Sequence, residues 1–130
     1  MAMEPGQPTF SYKQRVRPQE CSPTGYLGHP RFLEFFEAAF IECWRARFGT
    51  LYDALGPNRR LVVTEVHLQI HDGVTVDDEL QVDVSLDRID ETSIRVHYDG
   101  LVRGVNLAQG TVRYVCLDAA SGRPTALPGG

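Results

Sequence analysis

The residues best suited to chemistry lie in a polar turn, residues 20–25, and in the helix predicted to begin just after it. Pro30 suits the first position of a helix, because its missing N–H would have no partner there in any case. The N–H of His29 then lies at a helix N-terminus, where the positive end of the helix dipole favours a polarised oxygen. Because the flexible Gly28 precedes it, this helix start is a place where a carbonyl oxygen could dock. A histidine that merely caps the loop is the alternative interpretation of His29.

Glu37 is the second candidate, because it is an acid on an apolar part of the same helix. The helix is predicted over residues 30–48, with Gly49 as its stop. At 100° per residue, its polar side is narrow and holds only Arg31, Glu34, Glu42 and Arg45. The apolar sector is far wider and contains Phe32, Leu33, Phe36, Ala39, Phe40, Cys43 and Trp44. We therefore expect protein around most of this helix, and Glu37 is either a structural or rim acid or a functional carboxylate.

The remaining chain alternates between apolar and polar residues, which is typical of strands with one covered face. A first strand is predicted over residues 10–17, and four more over residues 61–71, 80–89, 93–102 and 107–117. Residues 51–58 form a connector, and Asp90, Glu91 and Thr92 form a hairpin turn. The predicted fold is α+β, a long central helix wrapped by an antiparallel sheet of about five strands. Residues 1–9 are interpreted as a flexible leader and residues 10–130 as a single domain.

Composition and charge exclude several classes of protein. The net charge of −4 argues against a general nucleic-acid binder, which would be basic. No apolar run approaches the ~20 residues of a membrane span, and the first residues lack a signal layout, so we expect a cytoplasmic protein without membrane contact. Three cysteines without a CxxC pair favour free thiols.

Two further constellations carry less weight. Cys21 and His29 could suggest a thiol nucleophile, but no third group orients them. His67, His71 and Glu65 share a predicted strand face, but no fourth ligand has zinc-like spacing. The sequence therefore predicts no metal and no cofactor.

The run from Arg15 to Arg45 resembles the hotdog-fold thioesterases of the 4-hydroxybenzoyl-CoA thioesterase type. In that family an acidic turn motif ends in Gly, and a Tyr/His-Pro/Ala-Asn-Tyr run opens the central helix. The matching residues here are Glu20-Cys21-Ser22-Pro23-Thr24-Gly25 and His29-Pro30-Arg31-Phe32. The resemblance implies a hotdog fold, a homodimer or homotetramer, and a site in which the N–H of His29 polarises a thioester carbonyl.

Ser22 departs from this family pattern, because the catalytic carboxylate of the family stands at its position. A serine hydroxyl has a pKa far too high to act as a general base at neutral pH. Ser22 could instead orient a water molecule, as a neutral residue does in the similar thioesterases of enediyne polyketide pathways. Alternatively Glu37 supplies the carboxylate, about 12 Å further along the helix and therefore towards the site of another subunit. The third alternative is that hydrolysis has been lost.

The resemblance also places the substrate. Gly25, Tyr26, Leu27, Phe36 and Phe40 are expected to line the site and its acyl tunnel. The hairpin at Asp90 and Glu91 would repel the phosphates of CoA, which favours a thioester on an acyl carrier protein. Carrier proteins are acidic, and the candidate docking residues are Arg31, Arg45, Arg59 and Arg60.

The sequence thus predicts a thioesterase that hydrolyses an acyl or polyketide thioester of a carrier protein or CoA, in polyketide or fatty-acyl metabolism. Its expected partners are the acyl thioester, an acyl carrier protein and further copies of the chain. The alternative is a non-hydrolytic hotdog protein that binds an acyl or polyketide ligand and assists its cyclisation or dehydration.

Overall fold

The computed structural model describes residues 10–128, and the predicted leader at residues 1–9 lies outside this range. The chain forms β1 (Phe10–Arg15), a single 3-10 turn (Pro18–Glu20), α1 (His29–Phe48) and α2 (Leu51–Leu55). Four long strands follow: β2 (Arg59–Ile70), β3 (Glu79–Arg88), β4 (Ser93–Val102) and β5 (Val105–Asp118). The predicted elements are confirmed with small shifts at their ends.

The five strands form one antiparallel sheet in the order β1-β3-β4-β5-β2. The long helix packs on β1, β3 and β4. Its buried face holds Phe32, Phe35, Phe36, Ala39, Phe40, Cys43 and Trp44. The predicted α+β arrangement of a long helix on a five-stranded antiparallel sheet is confirmed.

Close packing between helix and sheet is set by glycines in β4 and β5. A Cβ on Gly110 would lie 2.9 Å from a ring carbon of Phe36, so only glycine admits that ring. The ring stacks on Tyr98 at a centroid distance of 4.9 Å. Phe36, which was predicted to line the acyl tunnel, is fully buried in this stack.

The predicted alternation along β2 is wrong at its start. A bulge between Val63 and Glu65 leaves Thr64 out of the register. Val63 therefore shares the helix-side face with Val66, because these residues pair with Tyr114 and Val112. A strict alternation over residues 61–71 would place Val63 on the opposite face, with Glu65 and His67, and a period of two cannot reveal an inserted residue.

The predicted connector at residues 51–58 contains the short helix α2. The hydroxyl of Thr50 accepts a hydrogen bond from the N–H of Asp53 at 3.2 Å and so caps this helix. A threonine followed three residues later by an acid is a helix-start signal that could have predicted α2. Among residues 10–128, no helix has the length and hydropathy needed to cross a membrane.

Candidate active site

The polar turn before α1 is a tight loop closed by two backbone hydrogen bonds. The N–H of Ser22 donates to the carbonyl of Tyr26 at 2.8 Å, and the N–H of Gly25 donates to the carbonyl of Ser22 at 2.9 Å. Gly25 has a φ of +91°, a conformation that other residues rarely adopt. The turn is therefore fixed by its backbone and does not depend on long side chains for its shape.

The hydroxyl of Ser22 is held by a second hydroxyl in the same turn. Ser22 Oγ and Thr24 Oγ1 lie 2.6 Å apart, within hydrogen-bond distance. Sequence reasoning assigned no role to Thr24. The sequence shows a second hydroxyl residue two positions after Ser22, but whether the two hydroxyls meet depends on the conformation of the turn.

The far side of the turn is anchored to the loop before β3. The N–H of Leu27 donates to the carbonyl of Val74 at 2.7 Å. The ring of Tyr26 lies over Gly73, where an added Cβ would come within 2.5 Å of the ring. Leu27 is buried, whereas Tyr26 is 52% exposed and so can contact a ligand.

Glu20, at the start of the turn, is paired with Arg17. Its carboxylate accepts hydrogen bonds from the backbone N–H of Arg17 at 2.8 Å and from the Arg17 guanidinium at 3.3 Å. Partial burial raises the pKa of Glu20, but these bonds outweigh it and hold the pKa below its usual range. Glu20 is therefore an ionised anchor of the loop.

The N-terminus of α1 is open to a ligand. Gly28 is the N-cap residue and supplies no side-chain cap, and the first turn contains no acid. The N–H groups of Arg31 and Phe32 both donate to the carbonyl of Gly28. Within residues 10–128, the N–H of His29 has no acceptor. An unpaired N–H at the positive end of a long helix is a donor for a carbonyl oxygen that gains negative charge.

Glu37 is exposed on α1, so of the interpretations above it is not a buried structural acid, and a rim acid or a functional carboxylate remains. It lines a cavity of about 160 Å³ between α1, α2 and β2. The other lining residues are Phe40, Ile41, Leu51, Leu55, Leu61, Val63 and Tyr114. The cavity is therefore lined by one carboxylate, one phenol and six apolar residues, and four of these six belong to the unpredicted α2 and to β2.

A buried pair of tyrosines lies beside this cavity. The hydroxyls of Tyr98 and Tyr114 are 2.9 Å apart, and the ring of Tyr114 stacks on Phe40. Burial raises the pKa of Tyr114 to about 12, and the charge of Glu37 contributes to the rise. Burial and Tyr114 likewise raise the pKa of Tyr98. Both phenols are therefore protonated at neutral pH, with the Glu37 carboxylate close enough for its charge to act on them.

Three of the four arginines predicted to dock a carrier protein already have partners. Arg31 pairs with Glu34 at 2.8 Å, and Arg45 pairs with Glu42 at 3.4 Å. The guanidinium of Arg59 donates to the carbonyl of Ala126 at 3.3 Å. Arg60 is exposed. Exposed pairs of this kind can exchange partners at little cost, so they leave the docking hypothesis a prediction.

The three cysteines are free thiols, and two of them are buried. Cys43 and Cys116 are buried, and burial raises the pKa of both. Cys21 is partly buried and pairs with Leu27 across the loop. Among the described residues, no three His, Cys, Asp or Glu side chains form a group that could hold a metal ion.

Comparison with known proteins identifies relatives along nearly the whole chain. The model of the thioesterase-like superfamily matches residues 16–130. The acyl-CoA thioesterase YbgC of Haemophilus influenzae is 26% identical over 120 residues, which cover 92% of this chain and 88% of that protein.

Solved structures share the fold at lower sequence identity. The 1,4-dihydroxy-2-naphthoyl-CoA thioesterase Slr0204 from Synechocystis superposes with a TM-score of 0.85 at 17% identity, covering 93% of this chain and 90% of that one. The dynemicin thioesterase, whose crystal structures revealed induced-fit and allosteric effects upon polyene binding, gives a TM-score of 0.85 at 21% identity. That match covers 94% of this chain and 91% of the other. The predicted hotdog fold is confirmed by these likenesses.

Proposed function

Since the chain belongs to the thioesterase-like superfamily, we propose that it hydrolyses an acyl thioester at the N-terminus of α1. The observation that carries this proposal is the uncapped helix start, where the N–H of His29 has no acceptor within residues 10–128 and the Ser22 turn precedes it. A thioester carbonyl bound to this N–H is polarised, and the charge that develops on its oxygen during attack is stabilised by the helix dipole.

Water is the nucleophile in this proposal. The hydroxyl of Ser22 orients the water molecule, and a carboxylate accepts its proton as the oxygen attacks the carbonyl carbon. The C–S bond then breaks, the carboxylate returns this proton to the departing sulfur, and the acid and the thiol leave. Glu37 is the proposed proton acceptor because it is exposed, borders an apolar cavity and is not held by an ion pair within the described chain.

The position of Glu37 requires a second copy of the chain. Eight residues separate it from His29, which is about 12 Å along one helix. The free edge of β2 supports such a copy, because Val63, Val66 and Ile70 are each more than 40% exposed on its helix-side face. We therefore propose a homodimer joined along β2, in which Glu37 serves the helix start of the partner subunit.

The leaving group is proposed to be CoA or a carrier-protein arm. The relative YbgC is an acyl-CoA thioesterase, which supports CoA. The acidic hairpin favours a carrier protein only weakly, because the carboxylate of Asp90 is bound within its own turn by Thr92 and Ser93. A role in polyketide metabolism is supported by likeness to the dynemicin thioesterase alone.

One observation favours a second function. Within residues 10–128 the hydroxyl of Ser22 is bonded to Thr24, and no carboxylate is bonded to it. A site that lacks a base would bind an acyl or polyketide ligand and assist its cyclisation or dehydration without hydrolysis.

Mass spectrometry separates the two functions. The purified protein is incubated with a panel of acyl-CoA thioesters and with the same acyl groups on a carrier protein. Equal amounts of free acid and free thiol, formed over many turnovers, are the expected result. An acyl group that changes in mass while its thioester stays intact would support the second function, and unchanged thioesters throughout would contradict hydrolysis.

A further inference from the structure

The buried tyrosine pair leaves one hydroxyl proton without an acceptor. Tyr98 and Tyr114 carry one O–H each, and the single hydrogen bond between them, at 2.9 Å, uses one of the two protons. Neither hydroxyl has another partner among residues 10–128. The second proton therefore needs an acceptor that the described chain does not supply.

The unused proton belongs to Tyr114. Tyr98 is 1% exposed, and its ring stacks on Phe36 on the helix side of the sheet. The cavity that Tyr98 borders with His67 and His97 lies on the other face of the sheet, away from this hydroxyl. Tyr114 is 4% exposed, yet it lines the cavity with Glu37. The favoured arrangement has Tyr98 donating to Tyr114, and Tyr114 presenting its own proton to the cavity.

The cavity has the size of a small acyl group. Its volume is about 160 Å³, close to the roughly 150 Å³ of an engineered apolar cavity that binds benzene. Its remaining wall is apolar except for Glu37, whose carboxylate is not hydrogen-bonded to Tyr114. A buried donor facing an otherwise apolar space selects a ligand with an acceptor at one point and hydrocarbon elsewhere.

We infer that this cavity binds an acyl group of about six carbons that carries an oxygen acceptor, and that the Tyr114 hydroxyl donates a hydrogen bond to this oxygen. The inference rests on the proposed function and specifies its substrate class. A plain hydrocarbon chain of the same length would fill the space but leave the Tyr114 proton unpaired, so the enzyme should discriminate against it.

The test compares hexanoyl-CoA with 3-, 4- and 5-hydroxyhexanoyl-CoA as substrates. In the wild type, kcat/KM for at least one hydroxylated thioester should exceed that for hexanoyl-CoA tenfold or more. In Tyr114→Phe this preference should fall below about threefold. Tyr98→Phe is the matched control, because it removes the same tyrosine–tyrosine bond but leaves the Tyr114 hydroxyl in the cavity. It should keep the preference.

The outcomes separate this inference from the proposed function. A wild type that hydrolyses these thioesters without preference for any hydroxylated one would overturn the inference alone, as would a preference that survives in Tyr114→Phe. If no thioester is hydrolysed, hydrolysis fails and the same four compounds serve as binding probes. A tenfold difference in Kd that depends on Tyr114 would then still support the oxygen-binding cavity, and equal Kd values would overturn it.

Discussion

The hydroxyl oxygens of Ser22 and Thr24 lie 2.6 Å apart in the turn that precedes α1. The backbone on both sides of Ser22 is fixed by hydrogen bonds to Tyr26 and Gly25. The hydroxyl of Ser22 is therefore held in one direction, and one of the two hydroxyls donates its proton to the other. A water molecule bound by this pair would donate a hydrogen bond to an oxygen of fixed position. A hydroxyl that does not ionise at neutral pH cannot act as a general base, but it can still orient water in this way.

Thr24 is expected to act through Ser22. Ser22→Ala should lower kcat at least tenfold, or about 1.4 kcal/mol. Thr24→Val, which removes one hydrogen bond of about 1 kcal/mol, should lower kcat about fivefold with little change in KM. The double variant should be no slower than Ser22→Ala, and Thr24→Ser should retain most activity. Additive losses in this double-mutant cycle would show that Thr24 acts independently of Ser22.

Glu37 should act across the subunit interface. Glu37→Gln keeps the shape of the side chain but removes the proton acceptor, so kcat should fall at least tenfold, about 1.4 kcal/mol. The control is Glu65→Gln, since Glu65 is exposed on the opposite face of β2 and should be silent.

Mixing two inactive variants tests the sharing of the site directly. In hybrids of Ser22→Ala and Glu37→Gln, each mixed dimer would contain one site with both native residues, so activity should return to about a quarter of the wild-type value. If activity does not return once subunit exchange has been verified, Ser22 and Glu37 do not complete a site across two subunits, and the shared site is contradicted.

The dimer itself should depend on the helix-side face of β2. Val66 is 43% exposed there, and Val66→Lys would place a charge in the proposed interface. Analytical ultracentrifugation should show a shift towards monomer with loss of activity. Gln69→Lys adds the same charge on the other face of the strand and should leave the assembly intact. A wild type that sediments as a monomer would contradict the proposal before any variant is made.

Much of the fold was predictable because its signals are local. The helix spans His29–Phe48, one residue longer at its start than predicted. Its ends were predictable because proline suits the first turn of a helix and because Gly49 adopts the positive φ of 80° that often ends one. The bulge at Thr64 was not predictable, because it depends on the register with β5. For the same reason the sequence could single out Ser22 and Glu37 as candidate site residues, which stays a prediction, but it could not show that Thr24 is hydrogen-bonded to Ser22 or that Tyr114 lines a cavity with Glu37.

Gly110 should be required for the close packing of α1 on the sheet. Its alanine variant would push a Cβ to 2.9 Å from Phe36 and 3.2 Å from the backbone carbonyl of His67, and the carbonyl cannot move without breaking the sheet. We expect Gly110→Ala to lower the free energy of unfolding by about 1–3 kcal/mol. Gly100→Ala is the matched control, because its nearest contacts are side-chain atoms at 3.4 Å, and it should cost less. If urea unfolding shows the same loss of unfolding free energy in both variants, this explanation is contradicted.

Asp90 should make the stability of the folded protein depend on pH in the acidic range. Its carboxylate accepts hydrogen bonds from the N–H of Thr92 and from the hydroxyls of Ser93 and Thr92, which hold its pKa below the ordinary 3.8. Because the folded-state pKa is the lower one, Asp90 stabilises the protein fully above pH 3.8, and this contribution is lost as the pH falls through the folded-state value. Asp90→Asn should therefore be less stable than the wild type at neutral pH, and the gap should close below pH 3.8. Urea unfolding measured from pH 7 down to about 3 checks this, with Glu91→Gln in the same turn as the control. A gap that stays constant over the whole range would assign the effect of Asp90 to shape and not to its charge.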